Sequence, residues 1–181
     1  WTRRVPATVL ALAPHGGLNV HPSLLPRHRG ADPYFWTILE GDAETGVTAH
    51  WMTPQYDEGD ILAQRRIPVP EGVSAGQLAR ALDRPSLQML CEVVRAIEGG
   101  AVEAHPQNHT FASAAPRPSD DDCELVWDAP VETVLRRIRA AAPDPGAFTG
   151  FGDDTVVILR ADRATQRLRG LDAGDVVRTP D

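Results

Sequence analysis

Residues 17–30, GLNVHPSLLPRHRG, decide how this chain folds, because an extended segment here leads directly into a run stiffened by two prolines. Alternation along a strand places Asn19 and His21 on one face. Polar side chains at a strand end, beside a rigid backbone, are typical of a ligand site in an α/β sheet. The other interpretation is an ordinary buried polar network without catalytic meaning.

The neighbouring segments predict alternating helices and strands. Residues 4–13 indicate a short helix, and residues 44–53 and 61–69 indicate strands. Between them, Asp32 is expected to cap a helix that begins at Pro33 and ends at Gly41.

A longer helical region follows from Ser74, which is a suitable N-cap. Pro85 is expected to break or kink it, because proline lacks the N–H that a helix needs. A second helix is then predicted through Leu87, Leu90 and Val94, ending near residues 98–100.

The chain is expected to divide into three parts. Residues 1–105 form the first, and residues 106–122, which carry many helix breakers and little apolar periodicity, form a linker. Residues 123–181 begin with an amphipathic helix and continue as turn and strand, which indicates the start of a small β-rich domain. Because the chain begins with Trp1 and stops within an apolar segment, a fragment is expected.

Composition narrows the possible partners. The chain has 181 residues, a net charge of −7 and a pI of about 5.3, which is a poor electrostatic match for nucleic acid. No apolar run reaches the length of a membrane span, so no membrane partner is expected. The cysteines, Cys91 and Cys123, have no metal-binding spacing, which favours the reducing cytoplasm.

Asp57 lies in the acidic segment PQYDEGD between two predicted strands. It is either a solvated turn residue or a carboxylate that swings toward His21 and fixes its tautomer. Asn, His and Asp together suit acyl transfer to an amine, since the imidazole can move a proton and the amide can bind an oxyanion. This chemistry needs no metal; a metal site built from His15, His21, His28 and Asp57 is a minor alternative.

Three segments, LNVHPSLLPRHRG, ETGVTAHWM and YDEGDIL, together resemble the folate-dependent formyltransferase family. The family pattern is N-x-H-x-S-L-L-P followed downstream by D-x-G. The resemblance implies a Rossmann-like α/β domain with a parallel sheet, truncated at its N-terminus, followed by the start of an OB-like barrel. It also implies 10-formyltetrahydrofolate as the co-substrate.

The resemblance further implies roles for individual residues. The catalytic group would be Asn19, His21 and Asp57. Folate would be bound by Ser23, Leu24, Leu25, Pro26, Gln55 and Tyr56, and the acceptor by Arg29 and Gly30. His50 matches a position where several members have histidine, and it either orders the site loop or is purely structural.

The acceptor is left open between two classes. The overall layout resembles the methionyl-tRNA formyltransferases, which implies an initiator tRNA. RGADPYFW and APDPGA depart from the patterns of those enzymes, and PSDDDCELVWD is acidic, which favours a small amine such as an amino sugar or a hydroxyornithine. A formyltetrahydrofolate hydrolase and a non-catalytic folate-binding module are further alternatives.

Overall fold

The computed structural model describes residues 4–164 and 170–177. The predicted outer limits at residues 1 and 181 lie outside this part of the chain. The secondary structure mixes helices and strands, which confirms the predicted α/β class. In chain order the elements are α1 (Ala7–Leu10), β1 (Leu18–His21), α2 (Pro33–Glu40), β2 (Glu44–Trp51), β3 (Ile61–Pro68), α3 (Ala75–Glu98), a 3₁₀ turn (His109–Phe111), α4 (Asp120–Cys123), α5 (Val131–Ala141), β4 (Ala147–Phe151) and β5 (Asp154–Ile158).

The first three strands form one sheet in the order β1-β2-β3. Both pairings are antiparallel, which differs from the parallel sheet that was expected. The physical reason is clearest between β2 and β3, because residues 52–60 are too short for the crossover of a dozen or more residues that parallel neighbours require. The antiparallel register places Asn19 opposite His50.

Helix α2 begins and ends where the sequence predicts. The side chain of Asp32 accepts a hydrogen bond from the backbone N–H of Phe35, and Pro33 occupies the first turn. Gly41 ends the helix with φ of 73°, a left-handed conformation that glycine adopts without steric cost. This cap fixes the direction in which the chain enters β2.

Helix α3 is one continuous helix of 24 residues, so the predicted break at Pro85 is wrong. Proline at this position removes the partner of the Ala81 carbonyl, but Ala81 is exposed and water can replace that partner. The buried face carries Leu78, Leu82, Met89 and Val93, whereas Leu87, Leu90 and Val94 are exposed. The prediction of two helices therefore also assigned the apolar face of the second half wrongly.

One hydrophobic core contains residues from both the N-terminal and the C-terminal half of the chain. Phe35 and Ile38 of α2 belong to the same buried cluster as Val134 and Ile138 of α5. Within the described residues, the C-terminal part adds one antiparallel hairpin, β4–β5, to this helix. The amphipathic helix predicted near the start of the C-terminal part is confirmed as α5, and the barrel that would follow it stays a prediction.

None of the helices in the described residues has the length and apolar content needed to cross a membrane.

Candidate active site

The polar side chains at the end of β1 face one hollow. Asn19 and His21 lie on the same face of the strand, and His21 is 4% exposed. The amide nitrogen of Asn19 donates to Asp57 Oδ1 at 3.3 Å, and it lies 3.1 Å from Nε2 of His50. The sheet thus brings an amide and two imidazoles to one place.

Asp57 joins them from the loop between β2 and β3. Its backbone has φ of 55°, a left-handed conformation that aspartate tolerates better than most residues. Its Oδ2 atom accepts the backbone N–H of Gly30 at 3.0 Å and lies 3.6 Å from Nδ1 of His21. The carboxylate therefore points toward His21. This orientation agrees with the site interpretation of Asp57 and not with a solvated turn residue.

The tautomer of His21 follows from its hydrogen bonds. Nε2 lies 2.7 Å from the carbonyl oxygen of His28, which can only accept, so Nε2 carries the proton. In the neutral ring Nδ1 then holds the lone pair, next to Asp57. A proton captured at Nδ1 creates an imidazolium beside a carboxylate, which stabilises it.

The same reasoning fixes His50. Its Nδ1 lies 2.8 Å from the carbonyl oxygen of Trp51 and therefore carries the proton, so Nε2 of the neutral ring accepts from the Asn19 amide. Nε2 is also 3.5 Å from Asp57 Oδ1. His50 therefore contacts two of the three predicted catalytic residues, and it belongs to the site.

The pKa values of the pair keep the imidazole neutral and the carboxylate charged. Burial lowers the pKa of His21 below 6.5, and the charge of Asp57 only partly opposes this. Burial alone would raise the pKa of Asp57. The nearby His50 and His21 rings and the Gly30 N–H outweigh it, so this pKa falls below 3.8. At neutral pH the site therefore holds a proton acceptor beside a fixed negative charge.

These groups line a cavity of about 730 Å³, large enough for a cofactor-sized ligand. Its polar corner is made by Asn19, His21, His50 and Asp57. Three arginines also line it, Arg4, Arg29 and Arg117, so the wall carries positive charge although the chain is acidic. Tyr34 lines it as well, and burial together with the charges of Asp83 and Asp32 raises the pKa of its hydroxyl to about 12.

The run Ser23–Leu24–Leu25–Pro26, predicted to line the folate pocket, lies elsewhere: none of its residues lines the cavity. Ser23 and Leu25 are buried, and the Thr48 hydroxyl of β2 donates to the Ser23 carbonyl and accepts from the Leu25 N–H. Because Thr48 lies opposite His21 in the antiparallel register, the run covers the same face of β2 that carries the site, although it does not line the cavity. The physical reason is that its apolar side chains gain more from burial in the protein than from facing an open cavity.

The remaining predicted contacts are divided. Gln55 and Tyr56 line the cavity, and the guanidinium of Arg4 lies over the Tyr56 ring at 4.9 Å. Arg29 and Gly30 line it too, but Gly30 uses its N–H to hold Asp57. The guanidinium of Arg29 is directed to Gln107, Glu58 and His109. In this conformation both Arg29 and Gly30 therefore help to hold the Asp57 loop in place.

The segment predicted as a linker, residues 106–122, packs across the site. Arg29 pairs with Ala114 in an isolated bridge, and Ala114, Pro116 and Arg117 line the cavity. Gln107 is 6% exposed and donates to the carbonyl oxygens of Asp57 and Gly59. Sequence reasoning missed these residues because a segment without periodicity gives no signal of which side chains point inward.

A second histidine–carboxylate group lies outside the cavity. Among the described residues, His28, Glu40 and Asp42 have ligand atoms within 4.8 Å of one another, as a metal site would need. The guanidinium of Arg27 binds both carboxylates, and His28 Nε2 lies 2.6 Å from Asp42 Oδ2. Both carboxylates of the cluster are therefore already bound by protein groups. The alternative metal set is not assembled, because the His28 ring points to Asp42 and away from His21.

Comparison with known proteins agrees with this geometry. Residues 1–94 match the family described as formyl transferase, and residues 118–181 match the formyl transferase C-terminal domain. The first match alone spans more than half of the chain. The chain therefore belongs to the formyl transferase family, as the sequence motifs predict.

Particular relatives narrow this further. The methionyl-tRNA formyltransferase of Syntrophus aciditrophicus (strain SB) is 39% identical over 166 residues, which cover 92% of this chain and 53% of that protein. Another, from Roseiflexus castenholzii (strain DSM 13941 / HLO8), is 41% identical over 153 residues, 84% of this chain and 49% of that one. The chain spans about half the length of the curated relatives it matches.

A solved structure shows the same fold. HypX from Aquifex aeolicus in complex with tetrahydrofolic acid superimposes with a TM-score of 0.69 at 24% identity, over 82% of this chain and 26% of that one. At this identity the likeness speaks for the fold alone.

Proposed function

We propose that the protein to which this chain belongs transfers the formyl group of 10-formyltetrahydrofolate to a primary amine, in the manner of the methionyl-tRNA formyltransferases. The observation that carries the proposal is the polar corner of the cavity, where Asn19, His21 and Asp57 meet. The names of the curated relatives support a tRNA-linked amine as the acceptor.

In the proposed reaction the amine must attack while it is neutral, and His21 Nδ1 is the atom that can take its proton. Nε2 is already bonded to the His28 carbonyl, which supports Nδ1 as the proton acceptor. Asp57, 3.6 Å away, stabilises the imidazolium that results. The same proton can then be delivered to the departing nitrogen of the folate.

Asn19 is proposed to bind the formyl oxygen as negative charge develops on it. Its amide nitrogen now donates toward Asp57 and His50. A bound formyl oxygen replaces His50 as the acceptor of one N–H, while the bond to Asp57 keeps the amide in place. Such a donor is typically worth about 3 to 4 kcal/mol in the transition state.

The cavity walls supply the proposed binding contacts. Gln55 and Tyr56 remain candidates for the folate, and Arg29 and Gly30 for the acceptor side. The run of residues 23–26 is proposed to support the site by covering the same face of the sheet through Thr48. No step of this scheme routes through a metal, and the proposed location is the cytoplasm.

A small-molecule amine is the second candidate acceptor. The acidic residues Asp120, Asp121 and Asp122, of which the first two are exposed, follow the cavity-lining segment, where a tRNA-binding protein would be expected to carry positive charge. This observation favours an amino sugar or a hydroxyornithine over a tRNA.

An acceptor screen tests the proposal. The full-length protein and 10-formyltetrahydrofolate are incubated with charged initiator tRNA, amino sugars or hydroxylated ornithine, and formylated product is measured. Formate release without any acceptor would favour a hydrolase. Folate binding without turnover in any arm would favour a binding module and contradict the proposal.

A further inference from the structure

Gln107 lies in the stretch between the two family matches, residues 95–117, yet it is tied to the catalytic loop. It is one of the few polar side chains in the described residues that are buried, with 6% exposure. A buried amide is stable only when its donors and acceptor are paired. Where those bonds go therefore indicates what the residue does.

Every bond of this amide leads to the Asp57 loop or to Arg29. Its Nε2 donates to the carbonyl oxygens of Asp57 and Gly59, both at 2.8 Å. Its Oε1 accepts from Arg29 NH2 at 2.6 Å and from Nε at 3.1 Å. This pattern fixes the orientation of the amide, because a reversed amide would face carbonyls with oxygen and a guanidinium with N–H groups.

The Asp57 loop has a strained backbone that needs support from neighbouring residues. Asp57 has φ of 55°, which costs free energy for a residue with a Cβ. Gly59 packs so closely under Trp51 that a Cβ would overlap the Trp51 carbonyl. Gln107 bonds the backbone on both sides of Glu58 and leaves the Asp57 carboxylate free to face His21.

We infer that Gln107 is a positioning residue of the formyl transfer reaction, which sets the Asp57 carboxylate against His21 by clamping the backbone of its loop to Arg29. The inference rests on the proposed function. Gln107 lies in the stretch that connects the two family segments. The conformation of this connecting stretch is therefore coupled to the position of the catalytic carboxylate.

The experiment compares three substitutions in the full-length protein. Gln107→Met keeps the size of the side chain and removes every polar contact, and Gln107→Glu keeps an acceptor for Arg29 but loses both donors. Asn108→Ala is the matched control, since Asn108 is the adjacent exposed residue and caps the 3₁₀ turn without touching the Asp57 loop. Thermal unfolding checks that each variant is folded.

Two readouts are expected to move together in both Gln107 variants. The turnover number kcat falls by about 10²-fold, as for other small misplacements of catalytic groups, while KM for the folate changes little. The pKa of His21, followed by NMR, moves downward, because a displaced Asp57 no longer stabilises the imidazolium. Asn108→Ala leaves both unchanged.

A double-mutant cycle with Asp57→Asn decides between positioning and general stability. If Gln107 acts through the carboxylate, Gln107→Met adds no further loss of kcat and no further shift of His21 once Asp57 is replaced. Additive losses would overturn the inference. An unmoved His21 titration in both folded Gln107 variants would overturn it as well, whether or not the wild-type protein transfers formyl groups; a wild-type protein without transfer would instead contradict the proposed function.

Discussion

The molecule contains two histidine–aspartate pairs that look alike in sequence and differ in use. His21 and Asp57 are 3.6 Å apart at the wall of a cavity. His28 and Asp42 are 2.6 Å apart, and Arg27 occupies both oxygens of that carboxylate. In the first pair, His21 Nδ1 has a free lone pair and the cavity leaves room for a ligand. In the second pair, the Asp42 carboxylate is fully used in hydrogen bonds within the protein. Access to the cavity, more than the distance within the pair, distinguishes the pair that we propose to be catalytic from the other one.

The largest effect on kcat is expected from a substitution that disrupts the first pair. His21→Ala removes the proton acceptor, and we expect kcat for formyl transfer to fall by about 10³-fold, within the range typical of general acid–base catalysis. The matched control is His28→Asn, because asparagine tolerates the φ of 58° found at that position. It should keep kcat within about tenfold of wild type. Equal losses in the two variants would contradict the distinction between the pairs.

The next effect concerns the amide beside the first pair. Asn19→Ala removes the proposed oxyanion donor, so kcat should fall by about 10²-fold while the dissociation constant for the folate changes little. Steady-state kinetics and equilibrium binding of tetrahydrofolate measure the two quantities. Parallel losses in kcat and affinity would show that Asn19 only binds.

The second pair should respond in stability. Asp42→Asn weakens its bonds to Arg27 and His28, and the free energy of unfolding should fall by about 2 kcal/mol at pH 7. Burial would raise the pKa of Asp42, but the bonds from Arg27 and His28 outweigh it and lower this pKa below 3.8. The carboxylate therefore stabilises the fold above pH 3.8 and loses this effect as the pH falls through its lowered pKa.

Denaturant unfolding at several pH values checks this prediction. The difference between wild type and Asp42→Asn should be full at pH 7 and shrink toward zero on acidification below pH 3.8. A difference that does not depend on pH would mean that the charge of Asp42 contributes nothing.

The smallest expected effect concerns the protonation of His21 in the first pair. Because His21 has a pKa below 6.5, it is neutral at pH 7, and kcat/KM should decline only on the acid side, below pH 6.5. Asp57→Asn removes a charge that raises the pKa of His21, so the NMR titration of the ring should move to still lower pH. An upward movement would show that the carboxylate does not stabilise the imidazolium.

Local signals made much of this structure predictable. The cap, the proline and the glycine around α2 specify both of its ends, and the apolar alternation specifies β1, β2 and β3. The motif residues Asn19, His21 and Asp57 could be grouped before any coordinates, because they match a known pattern in order and spacing.

Non-local features were not predictable in the same way. The direction of β1 beside β2 depends on how the chain returns through residues 22–43, and the continuity of α3 through Pro85 depends on which side of the helix meets water. The position of Ser23 against the sheet depends on Thr48, which is far along the chain. Gln107 lies in a segment without periodicity, so only the fold reveals that it points inward.

The buried cluster that joins Phe35 and Ile38 to Val134 and Ile138 has a consequence for how this protein is divided. The two family segments meet in one apolar interior, so a cut between residues 94 and 118 would expose half of a shared surface on each piece. We therefore expect each segment to be less stable alone than in the intact chain. Swapping the second segment between relatives would require α5 to be exchanged as a matched partner of α2.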